Sequence, residues 1–311
     1  MFQRRKPKQQ QSSQKAPSRG STSKKRSKTP RPTSLKQRAV SILGASIGLA
    51  AWYLTPISDL IVDVVIDTVD LDKDVELERE ALRGNAIPHK TVYNKQWSDT
   101  INRIGHGLID ALDEKQYRLA KNKYNWDFGV IHADFVNAFC LPGGTIRVTD
   151  GLLQHLRPTE GELAALLGHE IGHVLSRHAQ KRLLNEQFIS YMISTLTYED
   201  GDDDKETFGQ ALGELIVKSS SWLGKQKFSR RDEYQADAVA WDLLFADKRN
   251  PRSLEGLLGK LQRMEKKGGP ESVFKARSKT HPATADRVEA VFKKWYALPE
   301  ADRTKLDRLM S

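Results

Sequence analysis

His169-Glu170-Ile171-Gly172-His173 sets two histidines four residues apart with a glutamate between them. Residues at i and i+4 share a face only at the helical period of about 3.6, so the pattern demands a helix. On a helix the two imidazoles can grip one metal ion while Glu170 is held beside it as a base. Zinc takes neutral imidazole nitrogens at about 2.0 to 2.1 Å, and a catalytic site keeps three protein ligands with a fourth position open. The flanking residues support the helix. Thr159-Glu160-Gly161-Glu162 reads as a capping box, in which the threonine caps and the glutamate three places on returns to the cap amide. Leu163, Leu167, Ile171 and Val174 recur at spacings of four and three, an apolar face expected to anchor the helix while the histidines look out of the core. Gly168 and Gly172 each cost about 1 kcal/mol relative to alanine in a helix interior, which predicts a neighbour at close approach. His178 falls about half a turn round from the ligand face and reads as a solvated or supporting histidine rather than a ligand.

Three ligands require one more residue. Ser176 and Ala179 stand where the extended form of the motif would place its glycine and third histidine, so the ligand comes from another element. The segment from Ser229 to Asp237, SRRDEYQAD, reads as a helix start, with Ser229 as cap and acids in the first turn. Glu233 and Asp237 lie one turn apart on one face, a candidate ligand and a candidate acid to receive the free N–H of a ligand histidine. The alternative is a pair of exposed acids balanced by Arg230 and Arg231.

Four blocks in order, NAFCLPGG, HEIGH, SRRDEYQAD and THPATADR, resemble the HtpX, BepA and Oma-type membrane-associated zinc metalloendopeptidases. These are gluzincins, with HExxH and a downstream ExxxD, and the resemblance covers roughly residues 90 to 295. It implies one zinc ion on His169, His173 and Glu233, Glu170 as catalytic base, and Asp237 orienting a ligand histidine from behind. It also matches His281 and Arg287 to a histidine-proline motif and its following arginine. With Tyr234 these are the candidates for oxyanion stabilisation or for lining the cleft. His281 is open to three readings: lining the cleft, covering the metal in a closed state, or capping the next helix.

Trp126 to Ala133, Val136 to Leu141 and Thr145 to Val148 are rich in branched and aromatic residues, with Pro142-Gly143-Gly144 as a turn, and read as three short strands. Asn137, Ala138 and Phe139 resemble the family's substrate-facing strand. An extended peptide can add to such an edge through main-chain hydrogen bonds, which favours exposed or unfolded protein segments over a strict sequence. The alternative is a hairpin that only supports the active-site helix. Cys140 is the single cysteine, so no intrachain disulfide forms and the metal must be held by nitrogen and oxygen.

The formal charge of +10 on 311 residues belongs to one end. Residues 1–38 hold 13 Lys and Arg and no acid, which leaves −3 on the remainder and no expectation of nucleic-acid binding by the folded body. This tail, poor in apolar residues, reads as disordered and suited to acidic surfaces. Residues 39–58 carry no charged side chain, and a helix of that length spans about 30 Å, the bilayer core. Basic residues precede it and acids follow, so a single-pass anchor would leave the tail on the cytoplasmic or matrix side and the peptidase domain opposite. Bacterial and mitochondrial inner membranes fit equally. Ser, Gly and Pro within the run keep a cleaved targeting segment or an interfacial helix open as alternatives. Residues 59–86 read as an amphipathic linker, and the acidic run 199–206 as a solvated loop between helices.

The expected fold is therefore α+β: a mostly helical, zincin-like peptidase domain with a small β-sheet over 87–311, preceded by one transmembrane helix. The expected activity is zinc-dependent hydrolysis of peptide bonds in membrane-associated or misfolded proteins. A tethered chaperone or scaffold that keeps the fold without cleaving is the alternative.

Overall fold

The computed structural model describes residues 56–83, 95–186, 228–266, 277, 280–281 and 285–308. The basic tail, nearly all of the uncharged run 39–58 and the acidic run 199–206 lie outside the described residues. Among the described residues no helix is long and apolar enough to cross a membrane.

In chain order the elements are α1 (Pro56–Thr68), α2 (Leu71–Arg83), α3 (Lys95–Asp110), α4 (Glu114–Lys123), β1 (Asp127–Ile131), β2 (Ala138–Cys140), β3 (Thr145–Thr149) and α5 (Asp150–Leu156). They continue with α6 (Glu160–Leu175), α7 (Arg230–Ala246), α8 (Ser253–Lys266), α9 (Ala285–Tyr296) and α10 (Glu300–Arg308). The three strands form one sheet in the order β1-β3-β2, with β1 parallel and β2 antiparallel to β3. The parallel pair requires a crossover, which the chain makes by bringing β3 between its two predecessors. β2 is thus an edge strand.

α6 is the central element, packed on α7, α8, α3 and β2. Its capping box forms as the sequence predicts: the Thr159 hydroxyl accepts from the Glu162 amide at 3.2 Å, and Glu162 accepts from the Thr159 amide at 2.8 Å. The apolar-face expectation needs correction. Every residue from Glu162 to Val174 is buried, so the histidine face is covered as fully as the leucine face. The alanines, leucines and glycines between the motif residues make the helix apolar on nearly all sides, the composition of a core helix rather than a surface one.

The two glycines explain how α7 covers the histidine face. A Cβ on Gly172 would lie 2.8 Å from the Ala236 carbonyl oxygen, and one on Gly168 would lie 3.3 Å from Ala240 Cα. Main chain packs on main chain here, so neither neighbour can rotate away. Gly172→Ala is expected to push α6 and α7 apart at a cost of about 1–3 kcal/mol, read by urea unfolding, with weaker zinc binding because Glu233 moves with α7. Gly168→Ala should cost less.

α1, which begins at Pro56 inside the uncharged run 39–58, and α2, within the 59–86 stretch, pack on this body. Val62 and Ile66 of α1 cluster with Leu184, and Ala81 and Leu82 of α2 with Phe139 and Leu141. Asp63 of α1 pairs with Lys181 at 2.8 Å and with Arg231.

Candidate metal centre

The contact of α6 with α7 sets His169 and His173 opposite Glu233 and Asp237. A second capping box starts α7: the Ser229 hydroxyl accepts from the Asp232 amide at 3.2 Å and Asp232 accepts from the Ser229 amide at 2.9 Å. This fixes the first turn, which carries Glu233. His281 completes the group, and one donor atom from each of His169, His173, Glu233 and His281 lies within 4.8 Å of every other, all four side chains being buried. His169 Nε2 is 3.1 Å from His173 Nε2 and 3.6 Å from Glu233 Oε2, and His173 Nε2 is 3.5 Å from Glu233 Oε1. Donors held 2.0 to 2.1 Å from a tetrahedral centre lie about 3.3 to 3.4 Å apart, so the two nitrogens and the Glu233 carboxylate, which meets each histidine through a different oxygen, are spaced for an ion of zinc's size.

The hydrogen-bond network assigns the tautomers. His169 Nδ1 donates to Asp237 Oδ1 at 2.9 Å, leaving the Nε2 lone pair turned inward. His178 Nε2 donates to Gln235 Oε1 at 3.1 Å, so its Nδ1 accepts, at 2.8 Å, from His173 Nδ1 and the second Nε2 lone pair also faces the centre. Two lone pairs and a carboxylate then converge in a buried space. That donor set repels itself until a cation lies among its members, and it fits a divalent ion with nitrogen and oxygen ligands.

The charge states agree. Burial holds the His173 imidazole far below its ordinary value, so it stays neutral, against the pull of Glu233. Burial brings His178 down to about 3, again neutral. Burial acts to raise the Glu233 carboxyl, but His281, whose Nδ1 lies 3.0 Å from Oε1, leads the groups that outweigh it and keep the carboxyl an anion. The same contest at Asp237 is won by Arg287 and the His169 hydrogen bond, which bring the carboxyl to about 2. Metal-binding histidines gain basicity and a fixed orientation from such partners. Glu170 is wholly buried beside this group, and its Oε2 has no hydrogen-bond partner, an orphaned acceptor in a polar site.

Other candidates fall in different places. Arg287, expected as an oxyanion or cleft donor, is turned behind the centre: Nε and Nη2 donate to Asp237 at 2.7 Å each, and Nη1 to Glu233. Two buried carboxylates so close together need a neighbouring cation, and Arg287 is it. Tyr234 follows Glu233 and stands 39 % exposed on α7. Asn137, just before edge strand β2, and Ala138 are buried and Phe139 partly so, with β2 against α6. Cys140 is buried, and burial pushes its thiol well up, which disfavours a thiolate nucleophile. His178 is 1 % exposed, so the solvated alternative is overturned and the supporting one kept.

Three residues escaped the sequence reading. Arg277 lies 4 % exposed with Nη1 3.5 Å from Glu170 Oε1, and nothing in its local sequence signals that contact. Phe228 stacks on His173 with ring centroids 4.0 Å apart. Arg177, just past α6 at φ +54°, donates to Asp74 and to the carbonyls of Ile66 and Val69.

Two helices that bring an HExxH pair and a distant glutamate around one cation position, with the motif glutamate alongside, define a zinc metallopeptidase of the gluzincin kind. Residues 98–294 match the model of peptidase family M48, and the chain belongs to that family. It is a zinc-dependent endopeptidase acting on protein or peptide substrates. Its relatives include Metalloprotease LoiP of Escherichia coli, 27 % identical over 249 residues, 79 % of this chain and 85 % of that protein. Mitochondrial metalloendopeptidase OMA1 of Arabidopsis thaliana is 29 % identical over 140 residues, 45 % of this chain and 26 % of that one. The Beta-barrel assembly-enhancing protease of Yersinia pestis is 23 % identical over 229 residues, 70 % and 44 %. The chain thus spans most of the first relative and less than half of the other two.

Proposed function

We propose that this chain is a membrane-anchored protein quality-control protease that cleaves exposed, extended segments of membrane-associated or misfolded proteins. His169, His173 and Glu233 hold the metal, Asp237 and His178 orient the two histidines, and Glu170 is the general base. Bound zinc supplies Lewis-acid polarisation of the scissile carbonyl and acidifies water. Glu170 Oε2 takes a proton from the attacking water and returns it to the departing amine nitrogen. The observation that carries this reading is the inward convergence of three donors beside a buried, unpartnered Glu170 oxygen.

Substrate binding at β2 follows from its register. Phe139 pairs with Arg147 of β3, and Asn137 and Leu141 bond to Thr149 and Thr145, so alternate residues are used inward. The main-chain groups of Ala138 and Cys140 therefore point to the open edge, where an extended peptide can continue the sheet. The anchor is assigned to residues 39–58, with the basic tail on the opposite side of the membrane from the peptidase domain. The support is the uncharged run, its flanking charge asymmetry and the mitochondrial relative.

His281 occupies the fourth corner, with Nδ1 3.4 Å from His169 Nε2 and 3.0 Å from Glu233 Oε1. A catalytic site needs that corner for water, so this arrangement is a closed one from which His281 withdraws. The test uses the full chain on an unfolded casein and on a tightly folded protein of similar size. Cleavage of the first alone, lost with a chelator and restored by zinc, is the expected result. His281→Ala should keep zinc and raise the casein rate several-fold. Equal cleavage of the folded protein would remove the extended-segment reading, and loss of rate in His281→Ala would make that histidine a participant in catalysis.

A further inference from the structure

The stretch that reads as a linker carries two buried carboxylates, Asp74 and Glu78, one turn apart on α2 and 1 % and 5 % exposed. A linker lying on a surface would keep such groups in water. Glu78 reaches the turn joining β2 to β3: Oε2 accepts from the Gly143 amide at 2.6 Å and lies 3.4 Å from that of Thr145, and Oε1 accepts from the Thr145 hydroxyl at 2.6 Å. Carboxylate and turn are matched in shape as well. A Cβ on Gly143 would stand 2.8 Å from Glu78 Oε2, so only glycine lets the acid close on the main chain. One turn back, Asp74 accepts from Arg177 Nη2 at 2.7 Å and from the Tyr124 hydroxyl at 2.5 Å. α2 is thereby fastened at one point to the turn of the edge strand and at the other to Arg177, two residues past the end of α6.

We propose that Glu78 is a positioning residue for substrate: its carboxylate clamps the Pro142-Gly143-Gly144 turn and so sets the register and tilt of β2 relative to Glu170 and the metal ligands. The inference rests on β2 receiving the substrate. The alternation of main-chain groups along β2 leaves only Ala138 and Cys140 to bond a peptide, and a three-residue strand has no length over which an error in register averages out. Its far end is tied by the Asn137 amide to the Thr149 hydroxyl at 3.0 Å, so Glu78 supplies the other fixed end. Leu82 packs with Phe139 and Leu141 in the same cluster, which holds the strand's side chains to the same helix. Two anchored ends leave the outward N–H and C=O groups preorganised, and a preorganised edge binds an extended peptide without first ordering itself.

The test uses the full chain with Glu170→Gln, which binds without cleaving, loaded with zinc. The two readouts are fluorescence anisotropy of a labelled ten-residue apolar peptide and hydrogen exchange at the amides of Gly143 and Thr145. Adding Glu78→Ala should weaken peptide binding about tenfold and speed exchange of both amides by at least as much, the scale of one or two lost charge-assisted hydrogen bonds. Glu78→Gln should restore binding to within about twofold, since its oxygen accepts from the Gly143 amide and its NH2 meets the Thr145 hydroxyl. Asp74→Asn should lower the melting temperature but leave the peptide Kd within about twofold. Should Glu78→Ala fail to fold, Glu78→Asp, which keeps the charge and falls one methylene short, replaces it with the same expectation. An unchanged Kd in Glu78→Ala, or an equal loss in Asp74→Asn, overturns the inference and leaves the protease assignment standing. A reference protein with Glu78 intact that binds no peptide overturns β2 as the substrate strand and this inference with it.

Discussion

Glu170→Gln is expected to retain one zinc per chain and to lose peptide cleavage by about 10²- to 10⁴-fold, the range that a positioned general base contributes. The substitution changes almost nothing in shape. Its oxygen can still accept from Arg277 Nη1, which lies 3.5 Å from Glu170 Oε1, and the three proposed metal donors are untouched. What disappears is the capacity of the second oxygen, buried and unpartnered in the native protein, to take up a proton. A cost in folding stability accompanies this, because the buried Arg277 guanidinium loses its counter-charge. At 3.5 Å the pair is long, so about 1–2 kcal/mol is expected rather than the 3–5 kcal/mol of a tight buried pair. Metal analysis beside a single-turnover cleavage assay checks both halves. Substantial turnover in the variant would transfer the base to another residue.

Glu233→Ala has the larger effect on the protein as a whole. It removes the anionic member of the proposed ligand set and leaves Arg287 Nη1 and His281 Nδ1 facing a hole in a buried site. Arg287 keeps its two bonds to Asp237, so the charge-assisted hydrogen bond lost at Nη1 costs about 1.5–3 kcal/mol, and loss of a ligand removes the stabilisation that zinc contributes by binding only the folded state. The expected protein therefore purifies with little zinc, unfolds at markedly lower urea and does not cleave. Retention of stoichiometric zinc would take Glu233 out of the ligand set. The neighbouring Asp237 gives an acid limit to the same architecture. Its carboxyl sits at about 2 in the folded protein, below the ordinary aspartate value of 3.8, so its contribution is fully present above pH 4 to 5 and is lost as the pH falls through about 2. That difference corresponds to about 2 kcal/mol, with Arg287 as its principal source.

Several parts of this architecture were legible before any coordinates. The capping box at Thr159 and the cap at Ser229 are local devices, closed within four residues, and both form, the second as a full capping box. The strands fall within a residue or two of the branched and aromatic runs that predict them. The glycines before each motif histidine predicted a close neighbour, and α7 is that neighbour. The apolar face of α6 was misjudged for a physical reason: amphipathic periodicity reads only the contrast between faces, and small residues among the histidines give little contrast. A helix sheathed by another through glycine and alanine contacts looks half exposed in sequence and is buried in fact.

The sequence by itself determined what acts over one or two helical turns: two imidazoles and a glutamate on one face, Glu233 and Asp237 on another, a basic tail and an uncharged run. Recognition of the family rested on such local blocks. Only the tertiary structure decided which groups meet across the chain. It set Glu233 and Asp237 against histidines more than sixty residues earlier, turned Arg287 to the carboxylates, placed Arg277 beside Glu170, and brought β3 between β1 and β2. It also drew Asp74 and Glu78 out of water. The reason is that helical period and capping are set by covalent geometry over a few residues, whereas these meetings depend on how helices and strands pack as whole bodies, a choice that no short segment encodes.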